Sequence, residues 1–246
     1  MRWTGPLESA ALLTVLRVPA GAAASTHGVL PWAPLVGLVL GGLAAGVAVA
    51  GSQLVSPLAG GVLFVVVLAA LTRGLHLDGL ADTADGLGPL RGRERALQVM
   101  RQGDVGPFGV VTLLLTVLLQ VACAAALLAV DGGWTALWAA PLVARLAMAR
   151  TGLSGVPMAV GSALGRSVAG TVSARWLAGW VFVSAALLTV VDQALVVGGA
   201  AGLLAAELLL RRARARLGGV TGDVMGAMGE TAAAATLLVA AAAVRW

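Results

Sequence analysis

The chain has 246 residues, of which 59% are hydrophobic and 11% charged, and this composition excludes a water-soluble core able to hide so much apolar surface. All 16 cationic side chains are arginine, so enzymes that need a Schiff-base lysine or a phosphate-loop lysine are excluded. The net charge of +5 does not predict a nucleic-acid partner, because the arginines border apolar runs and few aromatic residues are available to stack on bases. We expect one integral membrane domain over residues 1–246.

The first predicted element is an interfacial helix ahead of Pro19. Leu12, Leu13 and Leu16 share one face of such a helix, and the segment lacks the cleavage site of a signal peptide. Apolar runs of the kind that span a bilayer follow. They lie at about 33–51, 54–72, 108–130, 134–153, 176–207 and 231–244. We interpret the fifth run, which Asp192-Gln193 interrupts, as a hairpin of two helices, whereas the last run is short for a span.

Two polar stretches, at about 73–107 and 211–230, interrupt the apolar runs. An even number of predicted spans separates them, so both stretches emerge on the same side of the membrane. Eleven of the 16 arginines fall on that side, and the positive-inside rule makes it cytoplasmic. These are Arg73, Arg91, Arg93, Arg95, Arg101, Arg166, Arg175, Arg211, Arg212, Arg214 and Arg216. The sequence predicts an all-α, polytopic integral membrane helical bundle with about six or seven transmembrane helices, whose active site faces the cytoplasm from a bacterial or archaeal cytoplasmic (inner) membrane.

The first polar stretch carries three carboxylates, Asp78, Asp82 and Asp85, within the segment GLHLDGLADTADGLG. Their spacing of four and then three residues places them on one face of a helix. Like charges this close repel one another, and hard oxygen ligands select Mg²⁺, which commonly bridges carboxylates to a substrate phosphate. We therefore expect a Mg²⁺ site on these three residues, with Asp104 as a further ligand. The alternative is a solvated helix end, but seven of the 11 acids fall in the two polar stretches, which favours a site.

Three basic side chains are candidates for the same site. His76 precedes the first of these acids by two residues and is a candidate general base, with a hydrogen-bonded structural role as the alternative. Arg101 stands close to Asp104 in sequence, and its guanidinium suits bidentate contact with phosphate oxygens. Arg145 lies in the middle of a predicted span, where an unpaired charge is costly, so we expect it to face an interior partner or a cavity.

The segment His76–Leu87 matches, essentially residue for residue, the signature of the cobalamin phosphate synthases, also called adenosylcobinamide-GDP ribazoletransferases. The block Leu217–Glu230 resembles the family's Gly-Gly-X-Thr-Gly-Asp-X-Leu-Gly-Ala pattern, with Met225 where leucine is usual. Arg101–Gly109 keeps the general order of the family's following segment but departs from it in detail, and Leu12–Pro19 resembles the family's opening segment. The resemblance therefore extends over about the whole chain.

This resemblance implies a reaction in which a hydroxyl of α-ribazole, or of its 5′-phosphate, attacks the cobinamide-side phosphorus of adenosylcobinamide-GDP and GMP leaves. It implies Mg²⁺ on the acidic cluster, with Asp85 as the first candidate, and Asp82 as the second, for orienting or deprotonating the attacking hydroxyl. Membrane lipid is a further expected partner, and the oligomeric state is left open. Substrate contacts are expected from Arg101, Arg145, Arg166, Thr221, Asp223 and Glu230.

Two rival interpretations use the same acids. A CDP-alcohol phosphotransferase has an Asp-X-X-Asp-Gly-X-X-Ala-Arg motif, and Asp82-Thr-Ala-Asp-Gly86 begins in that way, but Pro89-Leu90 stands where Ala-Arg is required. A cation-coupled transporter would carry its carboxylates in the middle of a span. The acids of this chain lie just beyond the end of a predicted span, which favours an active site at the membrane surface.

Overall fold

The computed structural model describes residues 4–22 and 24–244, and over these residues the chain forms eleven α-helices and no β-strand. The predicted all-α class is confirmed for this part of the chain. In chain order the helices are α1 (Gly5–Leu13), α2 (Val29–Leu54), α3 (Pro57–Leu71), α4 (Leu75–Leu87), α5 (Arg93–Val99), α6 (Pro107–Leu128), α7 (Trp134–Ala149), α8 (Ala163–Val168), α9 (Ala174–Val191), α10 (Gln193–Leu217) and α11 (Gly222–Ala243).

Five of these helices, α2, α6, α9, α10 and α11, are long and apolar enough to cross a membrane, and a sixth span results if α3 and α4 count as one bent pair. The predicted multi-pass bundle is confirmed. The higher predicted number included α7, which has 16 residues and is buried along most of its length between α2 and α11. Helices at the periphery instead expose large apolar side chains such as Leu115 and Phe182, as surfaces in contact with lipid do.

The hairpin predicted around Asp192-Gln193 is present as α9 and α10. Asp192 is the N-cap of α10, because its Oδ1 accepts a 2.8 Å hydrogen bond from the Ala194 N–H. The predicted start of the last membrane-spanning run, at about residue 231, is wrong, because the helix begins at Gly222. Residues 222–230 are not a polar connection but the first turns of α11, which begins where Thr221 caps the helix. The glycines of this block weaken helix propensity in isolation, and packing against α4 and α7 overrides that preference.

A sharp bend sets α4 across the end of the bundle. The axes of α3 and α4 differ by 92°, and the two residues between them that adopt left-handed backbone conformations are Arg73, with φ of 57°, and Gly74, with φ of 67°. A positive φ is costly for a residue with a side chain such as arginine. Arg73 also donates a 3.0 Å hydrogen bond to the Leu12 carbonyl, and this contact ties the bend to α1.

The predicted N-terminal helix is present as α1, although it ends before Leu16, which is exposed. One face of α1 packs against the start of α2. Ser9 Oγ donates to the Val29 carbonyl at 2.9 Å, and the Gly28 N–H donates to Glu8 Oε2 at 2.7 Å. Glu8 and Ser9 are therefore buried with their hydrogen bonds made.

Both predicted polar stretches meet at one end of the bundle, which we call the motif end. It consists of α4, α5, α8 and the loops that follow α5, α7 and α10. Hydrogen bonds connect these segments: Arg212 and Arg216 donate to the Leu87 and Pro89 carbonyls, and the Ala159 N–H donates to the Val220 carbonyl at 3.0 Å. The expectation that residues 73–107 and 211–230 share one side is thus confirmed by contact.

Candidate active site

Helix α4 carries the acidic motif with graded exposure. Asp78 is exposed, Asp82 is partly buried and Asp85 is 5% exposed. Helix α4 packs against both α6 and α11, and its last residues, from Asp85 to Leu87, are buried. Both ion pairs that the described residues form involve Glu207, on α10. Within residues 4–22 and 24–244, the motif carboxylates therefore lack an arginine ion-pair partner.

Asp85 holds the start of α6 in place. Its Oδ2 accepts a 2.7 Å hydrogen bond from the Gly106 N–H, and its Oδ1 accepts a 3.0 Å hydrogen bond from the Gly109 N–H. Backbone N–H groups at a helix N-terminus lack partners within the helix and carry partial positive charge, so a carboxylate stabilises them. Both oxygens of Asp85 are thus engaged by backbone, and the residue fixes the loop that carries Asp104.

Asp82 lies at the centre of the acidic cluster. It is within electrostatic reach of Asp78, Asp223, Asp85 and Asp104. These four neighbours come from α4 itself, from the start of α11 and from the loop before α6. The spacing of Asp78 and Asp82 on one helix was readable from the sequence, whereas the approach of Asp223 and Asp104 depends on how three segments pack.

Gly79 explains how α11 comes so close to α4. A Cβ atom at Gly79 would lie 2.7 Å from the carbonyl oxygen of Asp223 and 2.9 Å from its Cα. Only a glycine allows two backbones to approach to this distance. The contact sets the Asp223 carboxylate beside Asp78 and Asp82.

We expect Gly79→Ala to separate α4 from α11. The methyl group would meet the α11 backbone, which cannot rotate away as a side chain can, so the free energy of unfolding should fall by about 1–3 kcal/mol. Thermal unfolding of the purified protein in detergent micelles measures this. Gly46→Ala on α2 is the matched control, because a Cβ there meets no atom within 4 Å, and its effect should stay within about 1 kcal/mol. Equal losses in both variants would contradict the role of Gly79.

The acidic cluster fits Mg²⁺ in its chemistry but is not a preformed cage. Its donors are carboxylate oxygens, which are the ligands this ion prefers, and no arginine of residues 4–22 and 24–244 forms an ion pair with them. No three His, Cys, Asp or Glu side chains among the described residues stand in an arrangement that could hold a metal ion unaided. Mg²⁺ characteristically takes one or two protein carboxylates and completes its shell with water and substrate phosphate, so this arrangement suits it.

A second cluster of polar side chains lies in the interior, where α4, α6, α7 and α11 meet. The Gln120 side chain donates a 2.9 Å hydrogen bond to Glu230 Oε2. Arg145 is 3% exposed, is within electrostatic reach of Glu230, and places its Nη2 3.5 Å from His76 Nδ1. The expectation that Arg145 faces an interior partner is confirmed. Arg145 and His76 were also predicted to contact substrate or transfer protons, and the structure places both among helices, with His76 2% exposed.

The remaining predicted substrate contacts lie around the motif end. Arg101 is exposed and donates a 2.7 Å hydrogen bond to the Val160 carbonyl, which joins the loop after α5 to the loop before α8. Arg166 is exposed on α8. Thr221 Oγ1 accepts from the Val224 N–H and donates to Asp223 Oδ2 at 3.1 Å, so it caps α11 and orients the Asp223 carboxylate.

Sequence reasoning missed Gln120 as part of the site region. It is the most polar residue in an otherwise apolar stretch of α6, and an amide in a membrane-spanning segment generally needs a polar partner. That signal was available and pointed to an interior contact, although it could not identify Glu230 as the partner.

Comparison with known proteins places the chain in a family. A sequence model described as cobalamin-5-phosphate synthase matches residues 6–241. The chain belongs to the cobalamin-5-phosphate synthase family. The match covers every element of the motif end: α4, α5, α8 and the loops that follow α5, α7 and α10.

Curated relatives of this family are similar over most of the chain. A protein of Frankia casuarinae named adenosylcobinamide-GDP ribazoletransferase is 42% identical over 233 residues, covering 85% of this chain and 83% of the relative. A protein of the same name from Nocardioides sp. is 43% identical, with 85% of each chain covered. A third, from Roseiflexus sp., is 36% identical and covers 97% of this chain and 92% of its own length. No solved structure matches the chain.

Proposed function

We propose that this protein is an adenosylcobinamide-GDP ribazoletransferase, which joins adenosylcobinamide-GDP to α-ribazole or its 5′-phosphate and releases GMP. The observation that carries the proposal is the position of Asp82, which lies among carboxylates from three segments without an arginine ion-pair partner among the described residues. Such a cluster suits a divalent cation and a phosphate-bearing substrate. Membership of the cobalamin-5-phosphate synthase family indicates which substrate that is.

The acids then divide catalysis, metal binding and loop positioning among them. Asp82 orients or deprotonates the attacking hydroxyl, because it is central in the cluster and its carboxylate accepts no hydrogen bond from the described backbone, whereas that of Asp85 accepts two. Asp78, Asp82 and Asp104 would hold Mg²⁺, and when bound the ion neutralises charge on the pyrophosphate oxygens. Asp85, predicted as a base and a ligand, is assigned here to fixing the loop that carries Asp104.

The positive groups of the motif end bind the phosphates in this proposal. Arg101 uses one nitrogen for the Val160 carbonyl and retains further N–H donors for an anion. Arg166 is exposed on the same end. We further propose that this end faces the cytoplasm from the inner membrane, in keeping with the positive-inside rule. A reporter fused after Gly92 should be protected from reagents added outside intact cells, and labelling from outside would reverse this orientation.

The activity is tested with purified protein, adenosylcobinamide-GDP and α-ribazole. We expect GMP and cobalamin to form in Mg²⁺, product formation to fall to background when EDTA removes divalent ions, and activity to return on adding Mg²⁺. CDP-activated alcohol substrates serve as the comparison and should give no product. Absence of product under every metal, or undiminished product in EDTA, would contradict the transferase or its metal requirement respectively.

A further inference from the structure

A mainly apolar groove of about 270 Å³ lies between α6 and α10, beside α4, and we call it the lateral groove. Phe108 and Thr112 of α6 form one wall, and Leu209 and Arg212 of α10 form the other. These two helices make little direct contact with each other, and both pack against α11 or its neighbours instead. The floor of the groove comes from α4 and α11.

The lateral groove opens toward lipid. Its walls belong to two helices that are long and apolar enough to span the membrane, and neighbouring side chains such as Val111 and Leu208 are apolar and exposed. A cavity of about 150 Å³ is large enough for benzene, so the groove has room for a segment of an acyl chain. Such a groove between two spans is filled by lipid in a bilayer.

Two arginines at the end of the groove have no negative partner. Arg212 and Arg216 lie one turn apart on α10, and their Nη2 atoms donate to the carbonyls of Leu87 and Pro89, at 3.4 and 3.2 Å. Because these carbonyls are two residues apart in the chain, the two guanidinium groups lie side by side. Neither forms an ion pair with a side chain in the part of the chain that the structure describes, and each keeps further N–H donors for an anion.

The floor of the groove includes the back of the acidic helix. Leu80 and Ala84, which line the groove, each stand two residues from Asp82, and Leu87 stands two residues after Asp85. Two residues correspond to about 200° around an α-helix, so these side chains project away from the carboxylates. A molecule in the groove therefore packs against the face of α4 opposite the acids and restricts movement of that helix.

We propose that the lateral groove binds an anionic phospholipid. One acyl chain lies between Phe108 and Leu209, and the headgroup phosphate contacts the guanidinium groups of Arg212 and Arg216. A zwitterionic lipid fits the apolar part of the groove equally well, but its headgroup also brings a positive charge close to the two arginines. The bound lipid supports α4 from behind and keeps its carboxylates in position, and this effect on the reaction rests on the proposed function.

Native mass spectrometry of the purified protein in micelles tests the binding, with phosphatidylglycerol and phosphatidylcholine of the same acyl chains as probes. One arginine beside an anionic lipid contributes about fivefold in affinity, so we expect the unaltered protein to prefer phosphatidylglycerol by about 10–30-fold. Arg212→Gln should lower that preference about fivefold, because glutamine can still donate to the Leu87 carbonyl but carries no charge. Arg175→Gln, at the exposed start of α9, is the matched control and should keep the full preference.

A second pair of variants tests the apolar part of the groove. Thr112→Trp fills the space between α6 and α10 and should lower the affinity for phosphatidylglycerol by about tenfold or more. Leu118→Trp is its control, because Leu118 is exposed on α6 and does not line the groove. An unchanged preference in Arg212→Gln, an unchanged affinity in Thr112→Trp, or equal losses in the variants and their controls would overturn the proposal.

Transferase rates in nanodiscs test the effect on α4. Replacing phosphatidylcholine with phosphatidylglycerol should raise kcat of the unaltered protein by about fivefold, at the lower end of the usual coupling between two sites, and should leave that of Thr112→Trp unchanged. No rise in the unaltered protein, or an equal rise in both, would contradict the link to α4. A KM for adenosylcobinamide-GDP that increases equally in both lipids in Arg212→Gln would assign this arginine to the substrate and overturn the lipid site. If no product forms, the proposed function fails, and the binding measurements still decide the lipid site.

Discussion

Asp82→Asn should reduce the transferase rate by about 10³-fold, the range expected when a positioned acid–base group is lost. The amide keeps the shape of the side chain but removes its charge and its ability to accept a proton. Asp82 stands among four other carboxylates, so loss of its negative charge also relieves repulsion, and the folded protein should be no less stable than the unaltered one. GMP release at saturating substrate, together with thermal unfolding, measures both effects.

Two other aspartates provide the comparison. Asp131→Asn lies on the exposed loop between α6 and α7, at the end of these helices opposite the motif end, and should leave the rate unchanged. Asp85→Asn should lower the rate together with stability, because an amide nitrogen cannot accept one of the two backbone N–H bonds now made to Gly106 and Gly109. If Asp82→Asn keeps more than a tenth of the rate, Asp82 is not the centre of the site.

Arg145→Met should lower the free energy of unfolding by about 3 kcal/mol. The substitution removes the positive charge that faces Glu230 and the donor that faces His76 Nδ1. Removing one of two opposite buried charges is costly because the other charge is left uncompensated. Unfolding of the purified protein by heat or by denaturing detergent measures the loss.

A second substitution separates charge from packing. In Arg145→Met combined with Glu230→Gln both charges are gone, and we expect most of the lost stability to return, since neutral replacement of a buried pair is often nearly without cost. Arg150→Met is the matched control: Arg150 pairs with Glu207 near the surface, with side chains 33% and 26% exposed, and such pairs contribute at most about 1 kcal/mol. A double variant no more stable than Arg145→Met would show that the electrostatic attraction between Arg145 and Glu230 is unimportant.

The structure changes the role of Asp85 most clearly. The sequence made it a candidate Mg²⁺ ligand, and the family resemblance made it the first candidate for orienting or deprotonating the attacking hydroxyl. The spacing predicted correctly that it shares a helix with Asp78 and Asp82. The spacing could not show that the N-terminus of α6 lies against that helix and that its N–H groups occupy both carboxylate oxygens. These contacts join Asp85 to glycines that follow it by 21 and by 24 positions in the chain.

His76 and Arg145 show the same limit in the interior. The cost of an unpaired charge in a span was enough to predict that Arg145 would find an interior partner. The identity of that partner required the packing of α4, α6, α7 and α11 around one another, which brings together residues as far apart as 69 and 110 positions. Sequence spacing carries no information at such separations.

The sequence by itself determined that this protein is a multi-pass helical membrane protein, that α9 and α10 form a hairpin, and that Asp78, Asp82 and Asp85 lie on one helix. These properties follow from hydropathy and helical periodicity, which act over neighbouring residues. Only the tertiary structure decided that Asp223 and Asp104, which the sequence offered as candidates, come within electrostatic reach of Asp82, that Asp85 holds the start of α6, and that His76 is buried with its Nε2 unpaired among the described residues. Those relations arise from close packing of distant segments, as at Gly79, where the absence of a side chain lets α11 meet α4.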